Sequence, residues 1–213
     1  MSVMKNLLVV LFFLLSSTIC SQINVDSIGI YMFEMHNDMR VKNGSAKRYM
    51  SKYCKQASKT HLDYLIKYGF SEGHYETKIN VGGKVLNKPK DRYNYYNKDS
   101  VKLVEMGYVS YYKPYNYRSE ICNYQTMDID AKNKNINRDI AKILLESYVV
   151  SNSHNYQLIN NTFDSHIVRG FFSVNYKIEN GMYVFYSVGV FDTSLSDKEK
   201  LEDTYNKGYG VLY

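Results

Sequence analysis

The chain has 213 residues and a formal net charge of +6, from 27 lysine and arginine residues against 21 aspartate and glutamate residues. This length is enough for one domain with a sizeable hydrophobic core. The basic residues are scattered along the chain rather than gathered in a stripe, so we expect no nucleic-acid partner.

The first predicted element is a secretory signal peptide at residues 1–21. Lys5 supplies its positive start, and residues 7–15 are an unbroken apolar run. That run is too short to cross a membrane comfortably, so we expect a mature protein without a membrane span, secreted or held in the cell envelope or periplasm. Cys20 leaves a lipoprotein anchor as the alternative, although Ile19 fits poorly before a lipidated cysteine.

Three stretches of the remaining chain carry apolar residues at helical spacing, which predicts three amphipathic helices. They lie at residues 28–39, 49–66 and 140–148. A shorter helix is predicted at residues 99–106. Residues 70–89 have little periodicity and are predicted to form a loop.

The second half of the chain is predicted to contain a β-sheet. Residues 119–124 are typical of a strand, and so are residues 167–178 and 182–191. Asn180-Gly181 between the last two predicts an antiparallel hairpin. A further helix is predicted at residues 197–205. Helices before and between strands, with a late hairpin, indicate the α+β class.

Residues 148–170 surround a histidine with a recognisable pattern of polar and apolar positions. They resemble W-x-x-S-x-x-H-x-x-N-(I/L)-(L/M)-x-x-x-F-x-x-(I/V)-G-x-G, with Tyr148 at the Trp place and Gln157 at the Asn place. The matching residues are Ser151, His154, Leu158, Ile159, Phe163, Ile167 and Gly170. In this motif the chain resembles the bacterial branch of the CAP superfamily (cysteine-rich secretory proteins, antigen 5 and pathogenesis-related proteins).

Earlier motifs follow the same family order. Residues 35–40 (MHNDMR) look like the family's H-N-x-x-R helix motif, and residues 70–74 (FSEGH) resemble the context of its first cleft histidine. Residues 104–108 (VEMGY) and 119–121 (SEI) resemble its A-G-Y…G-E-N-I pattern. The similarity covers residues 28–192 of a single predicted domain, 22–213. It implies a three-layer α-β-α sandwich with a cleft of paired histidine and glutamate residues.

The resemblance implies that His74, Glu120 and His154 line this cleft. Glu146 is the nearest candidate for the family's second cleft glutamate, although it is offset from the family place. Two imidazoles and a carboxylate can hold zinc, so His74, Glu120 and His154 are candidate zinc ligands. The same groups can also act as a general acid/base set.

The functional expectation is binding of an extracellular ligand in this cleft, with zinc as a candidate cofactor. The resemblance leaves the ligand open among lipid, peptide and protein. One alternative is a metal-assisted or acid/base hydrolase of envelope peptides. Another is an interaction module with a vestigial cleft. The sequence contains no G-x-S-x-G, no glycine-rich phosphate loop and no C-x-x-C.

Cys54 and Cys122 are the two cysteines outside the predicted signal peptide. An even count in an exported protein favours a disulfide between them. Two separate buried thiols are the alternative.

Three other histidines have structural interpretations. His36 lies in the H-N-x-x-R-like motif on an apolar helix face, where the resemblance implies a packing role. His61 lies on the second predicted helix and is interpreted as a satisfied histidine of the core or its rim. His166 precedes a predicted strand.

Overall fold

The computed structural model of the protein describes residues 23–96, 119–130, 133–159 and 167–193. Its helices are α1 (Val25–Lys42), α2 (Lys52–Tyr68), α3 (Pro89–Tyr96), α4 (Ile136–Val149) and α5 (Asn152–Ile159), with a single 3-10 turn at Phe70–Glu72. Its strands are β1 (Tyr49–Met50), β2 (Ser119–Met127), β3 (Ile167–Glu179) and β4 (Met182–Thr193). The α+β class predicted from the sequence is confirmed.

The strands form one mixed sheet in the order β1-β3-β4-β2. Strand β1 runs parallel to β3, while β3 with β4 and β2 with β4 are antiparallel. The predicted hairpin is confirmed: Glu179 pairs with Met182, and Asn180 takes a positive φ of 51° in the turn between them. Glu120 therefore lies on the edge strand of the sheet, opposite Val190 of β4.

Helices cover both faces of the sheet, which makes a three-layer α-β-α sandwich. Helices α1, α4 and α5 pack on one face, in a core that includes Met32, Leu144 and Phe172. Helices α2 and α3 pack on the other face with the neighbouring strand residues. The contact of α1 with β3 is very close, because a Cβ on Gly29 would stand 2.4 Å from the backbone oxygen of Phe172.

One helix starts later than predicted, and another was not predicted at all. The second predicted helix starts at Lys52 rather than at residue 49, because Tyr49–Met50 pairs with β3 and the Ser51 side chain caps the helix by accepting a hydrogen bond from the Cys54 amide. Helix α3 forms where no helix was predicted, since its buried residues are Arg92 and Tyr93 rather than an apolar stripe.

Helix α5 changes the setting of His154. The helix predicted at residues 140–148 ended before His154, whereas His154 lies inside α5. The helices predicted at residues 99–106 and 197–205, and His166, lie outside the described residues. In the part of the chain that the structure describes, no helix is long and apolar enough to cross a membrane.

Candidate functional site

The structure brings His74 and Glu120 together. Nδ1 of His74 lies 3.2 Å from Oε1 of Glu120, although the two residues are far apart in sequence. The side chain of Glu120 is buried, while that of His74 is 40% exposed. A buried carboxylate thus holds one side of an imidazole ring that is open to solvent.

The carboxylate of Glu120 is also held by Arg92. Nη2 of Arg92 lies 2.7 Å from each of the two carboxylate oxygens, and Nε2 of His61 lies 3.6 Å from one of them. Burial alone would raise the pKa of Glu120, but the charges of Arg92 and His61 and the hydrogen bonds from His74 and Arg92 lower it below its ordinary value. Glu120 is therefore ionised at neutral pH.

A second buried carboxylate, Glu76, stands beside the same groups. Its Oε1 lies 3.0 Å from Nδ1 of His61 and 3.4 Å from Nη1 of Arg92. Its Oε2 accepts a hydrogen bond of 3.2 Å from the amide of Asn80. We call His61, Glu76, Arg92 and Glu120 the buried network.

The buried network also holds the loop that carries His74. Arg92 donates to the backbone oxygen of His74 at 3.0 Å, and Nε2 of His61 lies 2.7 Å from the backbone oxygen of Gly73. Gly73 has a positive φ of 56°, a conformation that favours glycine over residues with a side chain. The buried network therefore holds both the backbone and the ring of His74.

His154 lies on α5, which packs against α4. It is half-buried on α5, and its ring meets the Tyr148 ring edge-on with centroids 5.3 Å apart. Its pKa is lowered by partial burial and then by the charge of His74. The second effect is an electrostatic interaction with His74 through space. The placement of His154 in one cleft with His74 and Glu120 stays a prediction.

Cys122 packs against His74 without forming a reactive pair. Its Sγ lies 3.6 Å from Nδ1 and 3.9 Å from Nε2 of the His74 ring. Burial raises the pKa of the Cys122 thiol to about 12, with a further contribution from the charge of Glu120. The thiol is therefore protonated at neutral pH and is a poor nucleophile.

The predicted disulfide is corrected to two separate thiols. Cys54 and Cys122 are both buried, and they are not bonded to each other. The two residues share one hydrophobic cluster between α2 and the sheet. Their thiols contribute to apolar packing there, as buried cysteines commonly do.

Glu146 does not join the cleft, which corrects its predicted role. Its side chain is 62% exposed on α4, and its carboxylate lies 3.8 Å from Nζ of Lys142, one helical turn earlier. The helical period explains this position, because the inward face of α4 is occupied by Leu144, Leu145 and Tyr148.

The zinc prediction also needs revision at Glu120. Both oxygens of this carboxylate are engaged by Arg92, so Glu120 is placed to orient His74 rather than to ligate a metal itself. Within the described ranges, no group of three or more histidine, cysteine, aspartate or glutamate side chains is arranged to hold a metal ion. His74 and His154 stay candidate zinc ligands.

Sequence reasoning did not find Glu76 and Arg92. Both lie in polar, aperiodic sequence, where charged residues are usually solvated. The one available signal was His61, a polar residue on the apolar face of α2, which indicates a buried partner. Its interpretation as a satisfied buried histidine is confirmed.

Comparisons with known proteins add no relative. No protein-family model matches the chain, and neither a curated protein nor a solved structure matches it significantly. The resemblance to the CAP superfamily stays a prediction from the motifs.

Proposed function

We propose that this protein is an exported, CAP-like binding protein whose cleft takes an extracellular ligand between His74 and His154. The observation that carries the proposal is the His74–Glu120 contact. Because Nδ1 of His74 faces a buried, ionised carboxylate, that nitrogen keeps its proton, and Nε2 offers a lone pair to a ligand.

Zinc is the simplest ligand that suits these groups. A histidine that binds zinc commonly donates its other ring N–H to a carboxylate, which is the relation of His74 to Glu120. His154 would supply the second nitrogen, and water or a donor group of the extracellular ligand would complete the coordination. With two protein ligands, zinc binding is expected to be weak and reversible.

Calorimetry with zinc at pH 7.5 and 5.5 tests this proposal. Because imidazole must be unprotonated to ligate, affinity should be lower at pH 5.5. His74→Ala and His154→Ala should each reduce affinity at least tenfold, as loss of an outer-shell partner alone costs roughly 10–100-fold. Glu146→Gln, which removes an exposed carboxylate outside the cleft, is the control. Equal affinity at both pH values, or unchanged affinity in both histidine variants, would contradict the proposal.

Export is proposed from the predicted signal peptide. Residues 1–21 have a positive start and an apolar run followed by small polar residues. Expression of the full chain with its own N-terminus, followed by N-terminal sequencing of the protein outside the cytoplasm, should show cleavage after Ser21. Protein that retains residue 1 and stays in the cytoplasm would contradict export.

An acid/base hydrolase is the second candidate, because the His74–Glu120 pair has the geometry of a general base and its orienting carboxylate. The protonated thiol of Cys122 does not supply a nucleophile, so water would be activated directly. Turnover of casein or peptidoglycan peptides that is abolished by Glu120→Gln and retained in Glu146→Gln would favour the hydrolase over the binding protein.

A further inference from the structure

The buried network is larger than ligand binding at His74 and His154 requires. The side chains of His61, Glu76 and Arg92 are fully buried, and that of Glu120 is 1% exposed. Four ionisable side chains are costly to remove from water unless they compensate one another.

The four groups form one connected set. Each ring nitrogen of His61 faces an oxygen, from Glu76 at 3.0 Å and from the Gly73 backbone at 2.7 Å. Nε2 of His61 must donate to the Gly73 oxygen, because a carbonyl oxygen can only accept. The set joins two basic side chains, those of His61 and Arg92, to two acidic ones, those of Glu76 and Glu120.

The same set holds the backbone of the His74 loop and one nitrogen of the His74 ring. One nitrogen of Arg92, Nη2, donates both to the His74 backbone oxygen at 3.0 Å and to the Glu120 carboxylate at 2.7 Å. His61 holds the preceding backbone oxygen, that of Gly73. The carboxylate placed by Arg92 then meets Nδ1 of the His74 ring.

We infer that Arg92, His61 and Glu76 are positioning residues, which act through Glu120 to fix His74 with its proton on Nδ1 and its lone pair on Nε2. This inference rests on the proposed function for its purpose, but the ring geometry that it describes can be measured without any ligand. A network that only stabilised the fold would leave the tautomer of His74 unaffected.

The first measurement is the tautomer of His74, by NMR of the full mature protein labelled with ¹⁵N-histidine at pH 8. His74→Gln assigns the signal. The wild type should show the Nδ1–H form. Arg92→Lys keeps the charge but loses the planar guanidinium, whose Nη1 reaches Glu76 and whose Nη2 reaches Glu120. It should therefore shift His74 toward the Nε2–H form. Arg138→Lys makes the same change on the exposed face of α4 and should leave His74 unchanged.

Glu76→Gln provides a second, nearly isosteric variant if Arg92→Lys does not fold, as judged by near-ultraviolet circular dichroism. It removes one charge from the set and should also reduce the Nδ1–H fraction of His74. Glu146→Gln is its matched control. An Nε2–H tautomer in the wild type, or an unchanged tautomer in a folded network variant, would overturn the inference.

Zinc titration of the same proteins separates the inference from the proposed function. If both are right, Arg92→Lys or Glu76→Gln lowers zinc affinity by roughly 10–100-fold, the usual effect of disturbing an outer-shell partner. A wild type that fails to bind zinc but shows the expected tautomer changes would contradict the zinc proposal and support the network. Zinc binding that needs His74 and His154, with no tautomer change in the network variants, would support the zinc proposal and contradict the positioning role of the network.

Discussion

Two fully buried histidines on opposite faces of the sheet have opposite surroundings. His61 of α2 lies between oxygens, with Glu76 and the backbone of Gly73 at its two nitrogens. His36 of α1 lies among aromatic rings, with Phe172 and Phe191 at centroid distances of 5.7 and 5.4 Å. Burial is complete at both positions, so burial alone does not decide what the imidazole can do.

The charges around His36 explain the difference. Nε2 of His36 lies 3.2 Å from the Leu158 backbone oxygen and 3.2 Å from Nη1 of Arg48, while Nδ1 has no hydrogen-bond partner in the described part of the chain. Burial, and then the charges of Arg48 and Arg40, lower the pKa of His36 well below its ordinary value. His36 is a neutral packing residue, whereas His61 compensates a buried carboxylate.

The largest effect should come from breaking the buried network at its centre. Arg92→Met leaves Glu76 and Glu120 buried without their guanidinium, which should lower the free energy of unfolding by about 3–5 kcal/mol. Urea denaturation at pH 7.5 measures this loss. Arg138→Met removes an arginine from the surface of α4, where its guanidinium lies 5.8 Å from the Tyr31 ring, and should cost less than about 1 kcal/mol. Similar losses in the two variants would contradict the expected contribution of the network to the free energy of unfolding.

A pair of matched substitutions sharpens the comparison of the histidines. His61→Phe removes hydrogen bonds to Glu76 and Gly73 and should cost roughly 1.5–3 kcal/mol, the range for bonds to charged groups. His36→Phe should cost about 1 kcal/mol, because Arg40 still donates to the Leu158 oxygen. Urea denaturation of both variants gives the two values. A greater loss in His36→Phe would reverse the assignment of roles.

The pH dependence of stability should also separate the two faces. The pKa of His36 is lowered from 6.5 in the folded state, so below pH 6.5 the unfolded chain binds a proton that the folded chain lacks. Its contribution to stability is present above pH 6.5 and is lost as the pH falls. The pKa of Glu120 is lowered from 4.5, so its contribution is lost only below pH 4.5.

Two variants test which residue causes the loss of stability in each pH range. In urea denaturation, His36→Phe should lose less stability than the wild type between pH 7.5 and 5.5, and Glu120→Gln should lose less below pH 4.5. His154, whose pKa is also lowered, should contribute less to the upper range because it is only half-buried. Parallel pH profiles for His36→Phe and the wild type would contradict the neutral state of His36.

The smallest effect is expected at Glu146. Its carboxylate is exposed and pairs only loosely with Lys142, so Glu146→Gln should change the free energy of unfolding by less than about 0.5 kcal/mol. Zinc affinity should equal that of the wild type. A clear loss of zinc binding would return Glu146 to the cleft and would contradict its placement on the outer face of α4.

The elements predicted well from the sequence are those whose information is local. Asn180-Gly181 specifies a tight turn, and the hairpin forms there. Helix α3 was missed because Arg92 supplies its buried anchor, and a charged residue gives no apolar periodicity. The prediction for Glu146 was wrong because it followed the family motif despite the offset. The helical period of α4 places Glu146 on the exposed face.

The sequence by itself determined the α+β class and the late hairpin, and the family resemblance predicted His74, Glu120 and His154 as one group. Hydrophobic periodicity, turn chemistry and motif order are all readable along the chain. Only the tertiary structure decided that Glu120 is a partner of His74 held by Arg92, with His61 and Glu76 behind it. The physical reason is that the charge state and hydrogen bonding of a buried group depend on neighbours in space, and here those neighbours come from α2, the loop after it, α3 and β2.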